Sequence, residues 1–243
     1  MRCEFFGDIR DLFKYDLAIE IAKELGLPVV FIPMLTPDQG KHGNQRDFDQ
    51  AVAQGRPGTQ NQTLLDYLKQ YQTKSMRCIR HIGPYIEQQG LEFYLHKHDR
   101  HGDGIFFTHR ERLAYFREQL ITMLPSSALL LLDPDNGLEV KHVDEKHLLC
   151  EDVQQLCART GEPSILMIYQ QFPRVEHRRY VEQRLQQLQS QTQLSPCGIS
   201  DEEIIFFFLA RGERTRKRMI GVLHRYHYRY LRRTFLRGCC AEH

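Results

Sequence analysis

No stretch of this 243-residue chain is apolar for long enough to span a bilayer. The longest unbroken apolar run is the seven residues Ile204 to Ala210, where a helix would need about 20. The opening residues do not read as a secretory leader. Cys-x-x-Cys spacing is missing too, and the seven cysteines are an odd number without a regular framework. Reduced thiols in a cytoplasmic protein are therefore expected. Cys150 and Cys157 fall on one face of a helical pattern and read as core rather than as ligands. A G-x-G-x-x-G loop and internal repeats are also absent.

Nor does one sign of charge dominate, since the formal total is only +2. Its distribution is uneven. Residues 211–243 hold ten Arg or Lys against two Glu, a formal +8, and the preceding 210 residues hold 23 against 29, a formal −6. A basic end on an acidic body suits a polyanionic partner.

Length and patterning suit a single domain over 1–243, with a helical insertion around 45–90 and a basic segment at 211–243. Apolar runs read as strands at Pro28–Ile32, Leu91–Leu95, Gly104–Thr108, Ala128–Leu132, Ser164–Tyr169, Ile204–Leu209 and Met219–Leu223. Helical spacing leads into Leu25, with Gly26 as cap, and covers 61–89 with a bend at Gly83-Pro84, then 110–124, 144–159 and 175–191. Residues 45–60 read as polar and irregular. This alternation predicts an α/β fold: a doubly wound, mostly parallel, seven-stranded sheet ending in an antiparallel hairpin of the last two strands.

The run Ala128 to Leu132 reads as a strand buried on both faces, and it stops at the turn Asp133-Pro134-Asp135-Asn136-Gly137. Ligands of open α/β sheets bind at the carboxyl ends of strands, which places Asp133 for chemistry. A carboxylate and a proline-stiffened carbonyl can accept the hydrogens of an exocyclic amine and, eventually, its proton.

The opening Phe6-Gly7-Asp8-Ile9-Arg10-Asp11-Leu12-Phe13-Lys14-Tyr15 resembles the G-N-x-x-D-x-x-K-H start of bacterial 23S ribosomal RNA adenine-N6 methyltransferases. Gly7, Asp11 and Lys14 match, with Asp8 in place of the Asn. The turn Asp133-Pro134-Asp135-Asn136 stands where that family has D-P-P-Y. The glycine loop after the first strand is represented by Gly40, Gly43 and Asn44. The resemblance implies a class I, Rossmann-like methyltransferase fold with S-adenosylmethionine as cofactor. It implies donor contacts from Gly7, Asp11, Lys14, Gly40, Gly43 and Asn44, and catalysis at Asp133, Pro134, Asp135 and Asn136. The substrate it implies is a base of a nucleic acid, RNA before DNA.

Two other constellations compete. Asp133, Asp135, Glu139 and Lys141 resemble the acid–lysine signature of metal-dependent nucleases. His96-Lys97-His98-Asp99-Arg100-His101 resembles a zinc-hydrolase motif but places its Asp one position early, so no metal is expected. A methyltransferase-like scaffold that binds without catalysing is a third possibility. At the basic end, Arg225, Tyr228, Arg229, Arg232 and Arg233 are the candidate nucleic-acid contacts. If this segment is extended, its cations and tyrosines alternate so that phosphates and stacked bases can both be met.

Overall fold

A computed structural model describes residues 3–35, 46–73, 76–96, 116, 124–144 and 146–239. Asp8 caps helix α1 (Ile9–Leu25) by accepting from the Arg10 and Asp11 amides, and Gly26 ends it in a left-handed conformation at φ 69°. Strand β1 (Val29–Ile32) follows, then helices α2 (Phe48–Ala53), α3 (Gln62–Lys69) and α4 (Ile82–Gln88), and strand β2 (Phe93–Leu95). Next come β3 (Leu129–Leu132), a separate short parallel pair of β4 (Gly137–Leu138) with β5 (His147–Leu148), helix α5 (Cys150–Arg159) and strand β6 (Ile165–Gln171). Helix α6 (His177–Thr192), strands β7 (Cys197–Ser200) and β8 (Ile204–Ala210), helix α7 (Glu213–Arg229) and strand β9 (Phe235–Arg237) complete the described α-helices and strands.

The fold is α/β, built on a seven-stranded mixed sheet in the order β2-β1-β3-β6-β8-β7-β9. β2, β1, β3 and β6 are parallel neighbours, β8 runs antiparallel between β6 and β7, and β9 is antiparallel to β7. Successive strand residues point to opposite faces. Val29, Phe31, Leu129, Leu131, Met167 and Phe206 therefore feed one core with α1, α3, α4 and α7. Val30, Ile32, Leu130, Leu132, Ile168 and Phe207 feed the other, with α5 and α6. From β1 the chain goes to β2 on one side and then to β3 on the other. The carboxyl ends of β1 and β3 consequently flank a switch point, the usual crevice for ligands in such sheets.

Several elements differ from expectation. Met219–Leu223 is helical, inside α7, because Met219, Val222, Leu223 and Tyr226 are buried at helical spacing. The partner of β8 on that side is β7, so the pairing expected between Ile204–Leu209 and Met219–Leu223 does not form. Asp47 caps a short helix, α2, within the segment expected to be irregular. The long 61–89 helix is two helices, broken before Ile79 rather than at Gly83-Pro84. Pro84 sits in the first turn of α4, where a missing N–H costs nothing. The segment 144–159 becomes helical only at Cys150, with β5 ahead of it. The strand expected at 104–108, and all of the 110–124 helix but residues 116 and 124, lie outside the described residues. No helix among the described residues is long and apolar enough to cross a membrane.

Candidate functional site

The Gly7-Asp8 start of α1 brings backbone amides and carboxylates to the carboxyl end of β3. The Gly7 amide donates to Asp11 Oδ2 at 2.8 Å. One turn into the helix, Lys14 Nζ reaches Asp11 Oδ1 at 2.5 Å and Asp133 Oδ2 at 2.8 Å, and none of the three side chains is more than 4% exposed. The Lys14–Asp133 contact spans 119 residues of sequence. The ammonium also lies 4.8, 5.9 and 5.4 Å from the ring centroids of Tyr15, Phe31 and Tyr169, close enough for cation–π attraction.

Burial opposes the charge on Lys14, but the Asp11 and Asp133 carboxylates outweigh it and hold its pKa well above the ordinary lysine value. Asp8 is pushed up to about 7, first by burial and then by the neighbouring Asp11. Burial likewise raises Asp11 and Tyr169. The buried hydroxyl of Tyr15 has no hydrogen-bond partner among the described residues.

A cavity of about 350 Å³ opens beside this cluster. Asp8, Arg10, Asp11 and Lys14 of the α1 segment form one wall, and the turn Asp133, Pro134, Asp135 and Asn136 another. Tyr169 and Gln171 at the end of β6, with Phe5, complete it. Four carboxyl groups thus face two cations, and even with Asp8 about half protonated at neutral pH the lining is acidic and partly aromatic. The turn is held from behind. Gln170, which points away from Tyr169 and Gln171, accepts from the Leu138 amide at 2.8 Å and donates to the Gln171 carbonyl at 2.7 Å. Gly137 adopts φ 81°, and a Cβ there would collide with the Gln170 amide. The Asn136 amide donates to the Lys146 carbonyl at 3.0 Å.

Of the residues expected from sequence, Asp11, Lys14, Asp133, Pro134, Asp135 and Asn136 line this one cavity, and Gly7 braces Asp11 beside it. Gly40, Gly43 and Asn44 lie outside the described residues. The sequence alone does not single out Phe5, Arg10, Tyr169 and Gln171, which also line it. Tyr169 and Gln171 sit two apart at the end of a parallel strand, which is the signal that could have pointed to them.

The nuclease-like set is dispersed. Glu139 Oε2 accepts from the Cys150 amide at 3.1 Å, at the start of α5, and with Lys141 it lines a different cavity from that of Asp133 and Asp135. His96 is buried next to β1, its amide bonded to the Phe31 carbonyl, and burial lowers its pKa. Residues 97–101 of that motif lie outside the described residues. Among the described residues, no group of three or more His, Cys, Asp or Glu is placed to hold a metal.

The basic segment through Arg229 is helical, not extended, which changes what it presents. Tyr226 and Tyr230 are buried: the Tyr226 hydroxyl donates to Asp16 at 3.0 Å, and the Tyr230 hydroxyl accepts from the Gln60 amide at 3.2 Å. Only Tyr228, 81% exposed, faces outward. Arg225 pairs with Glu24 at 2.8 Å and Arg229 with Glu20, while Arg232 is exposed. Arg233 lines a small cavity with Arg56, Asp201 and Glu203. Glu203 in turn pairs with Arg56 at 2.8 Å and with Arg10 of the main cavity at 3.1 Å. Compared with known proteins, the sequence matches no family model and no curated protein.

Proposed function

We propose that the protein transfers a methyl group from S-adenosylmethionine to a base of a nucleic acid, RNA in preference to DNA, at the Lys14–Asp133 cavity. The observation that carries this reading is the convergence of two segments. The resemblance assigns the Gly7-to-Lys14 segment and the turn after Leu132 to one site, and the Lys14 and Asp133 side chains bond to each other across 119 residues of sequence. The finer form of the reading is a doubly wound, Rossmann-like methyltransferase sheet; what supports it is the parallel run β2-β1-β3-β6 followed by antiparallel β8 and β7.

The lining suits the donor. A sulfonium is a cation, and the acidic lining with the Tyr169 and Phe5 rings favours a cation over an anion. When bound, the donor supplies an electrophilic methyl group. Lys14 would hold the donor's carboxylate, and Asp11, bonded to Lys14 and to the Gly7 amide, fixes where that ammonium sits. Asp133 accepts the amine's hydrogen bonds and then its proton, and Pro134 restricts the backbone that carries the neighbouring carbonyl. Asp135 and Asn136 shape the pocket for the base edge. The exposed cations of α7 attract the phosphates.

Isothermal titration with S-adenosylhomocysteine tests donor binding, and absence of heat from folded protein, with nucleic acid present, would sink the reading. Asp133→Ala should abolish methyl transfer from labelled donor to RNA while leaving donor affinity within a few-fold of wild type. Transfer at the wild-type rate would remove Asp133 from its role.

A further inference from the structure

We infer that a second cavity, adjoining the first, receives an unpaired nucleobase that flanks the reacting one; the inference rests on the nucleic-acid reading above. This cavity has a volume of about 310 Å³. It begins where β6 ends. Gln171 lines the first cavity and the next residue, Phe172, lines the second. The Phe172 amide donates to the Glu203 carbonyl at 3.0 Å, and the Glu203 side chain pairs with Arg10 on the wall of the first cavity. One strand end and one turn therefore separate the two spaces. Consecutive residues of one strand end thus wall both spaces, an arrangement that fits neighbouring bases of one strand, splayed apart.

The surface is ready to stack. The Phe172 and His177 rings lie 3.9 Å apart at an interplanar angle of 6°, an aromatic platform already assembled. Phe235 of β9 lines the same cavity with 48% of its surface exposed. A base stacked on a preassembled aromatic surface loses little to ordering the protein, and every base has a π-face to offer. The polar lining fits a nucleotide better than a lipid chain or an apolar helix. Arg237 can meet a phosphate, as can Arg178, whose Nε also donates to the exposed Glu182 at 3.1 Å, and Glu202 can accept from an exocyclic amine. Two further carboxylates are already committed to the fold. Glu176 accepts from the Arg178 and Arg179 amides at 2.9 and 2.6 Å, and Asp201 from the Glu203 and Ile204 amides at 2.7 and 2.8 Å.

The test uses the full chain with Phe172→Leu, Phe235→Ala and the double variant. Phe172→Leu keeps an apolar side chain packed against the core while removing the ring, and a thermal melt confirms that each variant is folded. Affinity for a short single-stranded RNA is read by fluorescence anisotropy at several salt concentrations, and affinity for S-adenosylhomocysteine by calorimetry. The double variant should lose roughly 5- to 100-fold in RNA affinity, as expected for lost base stacking. Its salt slope and S-adenosylhomocysteine affinity should match wild type. Unchanged RNA affinity in a protein that binds S-adenosylhomocysteine overturns the inference and leaves the donor reading standing. Weakened RNA binding in a protein that binds no S-adenosylhomocysteine supports the base pocket and removes the methyl-transfer reading instead. A wild-type dimer that Phe235→Ala dissociates, with RNA affinity unchanged, would assign the surface to a second copy of the chain and overturn the inference.

Discussion

Lys14 pairs with Asp11 and Asp133 at a depth where no side chain of the three is more than 4% exposed, whereas Arg225 and Glu24 pair with 59% and 40% of their side chains in solvent. Both contacts tie α1 to another part of the chain, one to the turn after β3 and the other to α7. Their energetics differ because water competes at the surface and not in the interior. A buried charge that loses its partner is left without compensation, while an exposed one is simply hydrated. The interior cluster therefore constrains where Asp133 sits. The surface pairs mainly set how much positive charge α7 presents.

The sharpest way to break this contrast is to remove the interior cation. Lys14→Met keeps the length and apolar stem of the side chain but leaves two carboxylates facing each other in the core. The expected loss is about 3–5 kcal/mol in urea unfolding at neutral pH. A loss below about 1 kcal/mol would mean that the cluster is as well hydrated as the surface pairs, and the contrast would collapse.

A second prediction sharpens the contrast through pH. Asp8 has a folded-state pKa of about 7 against an ordinary value of 3.8, raised by burial and then by Asp11. Between those values the folded protein holds a proton that the unfolded chain releases. The group's contribution to stability is thus fully present below about pH 4 and is lost as pH rises toward 7. Asp8→Asn removes the titration and keeps the helix cap, since Asn caps as well as Asp. The stability gap between Asp8→Asn and wild type should widen from pH 4 to 7, by at most about 1.4 kcal/mol per pH unit, and then level off. A gap that stays flat across that range would place Asp8 in a hydrated setting.

Much of the candidate site was legible because its residues obey local rules. Asp133 ends an apolar run and precedes a proline. Gly7, Asp11 and Lys14 keep a spacing that a helix start turns into one face. In the sequence Tyr169 reads only as the last residue of a buried strand, because its place on the cavity wall depends on the register between β3 and β6. The end of the sheet is poorly legible for a related reason. Met219-Ile220-Gly221-Val222-Leu223 looks like a strand in a short window, and only with Thr215 and Tyr226 included does the helical period of its buried side appear. β7 and β9, four and three residues long, carry no strong periodic signal of their own and are fixed by pairing with each other, β7 also with β8.

The smallest effect concerns the surface pairs, where stability and binding should separate. Glu20→Gln with Glu24→Gln removes the acids opposite Arg229 and Arg225 without touching the basic residues. Because both pairs are partly or largely exposed, each should contribute no more than about 1 kcal/mol to stability, and less in high salt. Binding should move the other way. With Glu20 and Glu24 neutralised, Arg225 and Arg229 become available to phosphates beside Arg232 and the exposed Tyr228. Each additional phosphate engaged steepens the slope of log affinity against log salt by about 0.7 for a single strand. RNA affinity at low salt should therefore rise and its salt slope steepen by up to about two such steps, while the melting temperature barely changes. An unchanged slope would show that α7 is a solvated edge whose arginines serve only α1. The polyanion would then have to be sought on the Arg10–Arg56–Arg233 side of the molecule, where Asp201 and Glu203 already draw the cations together.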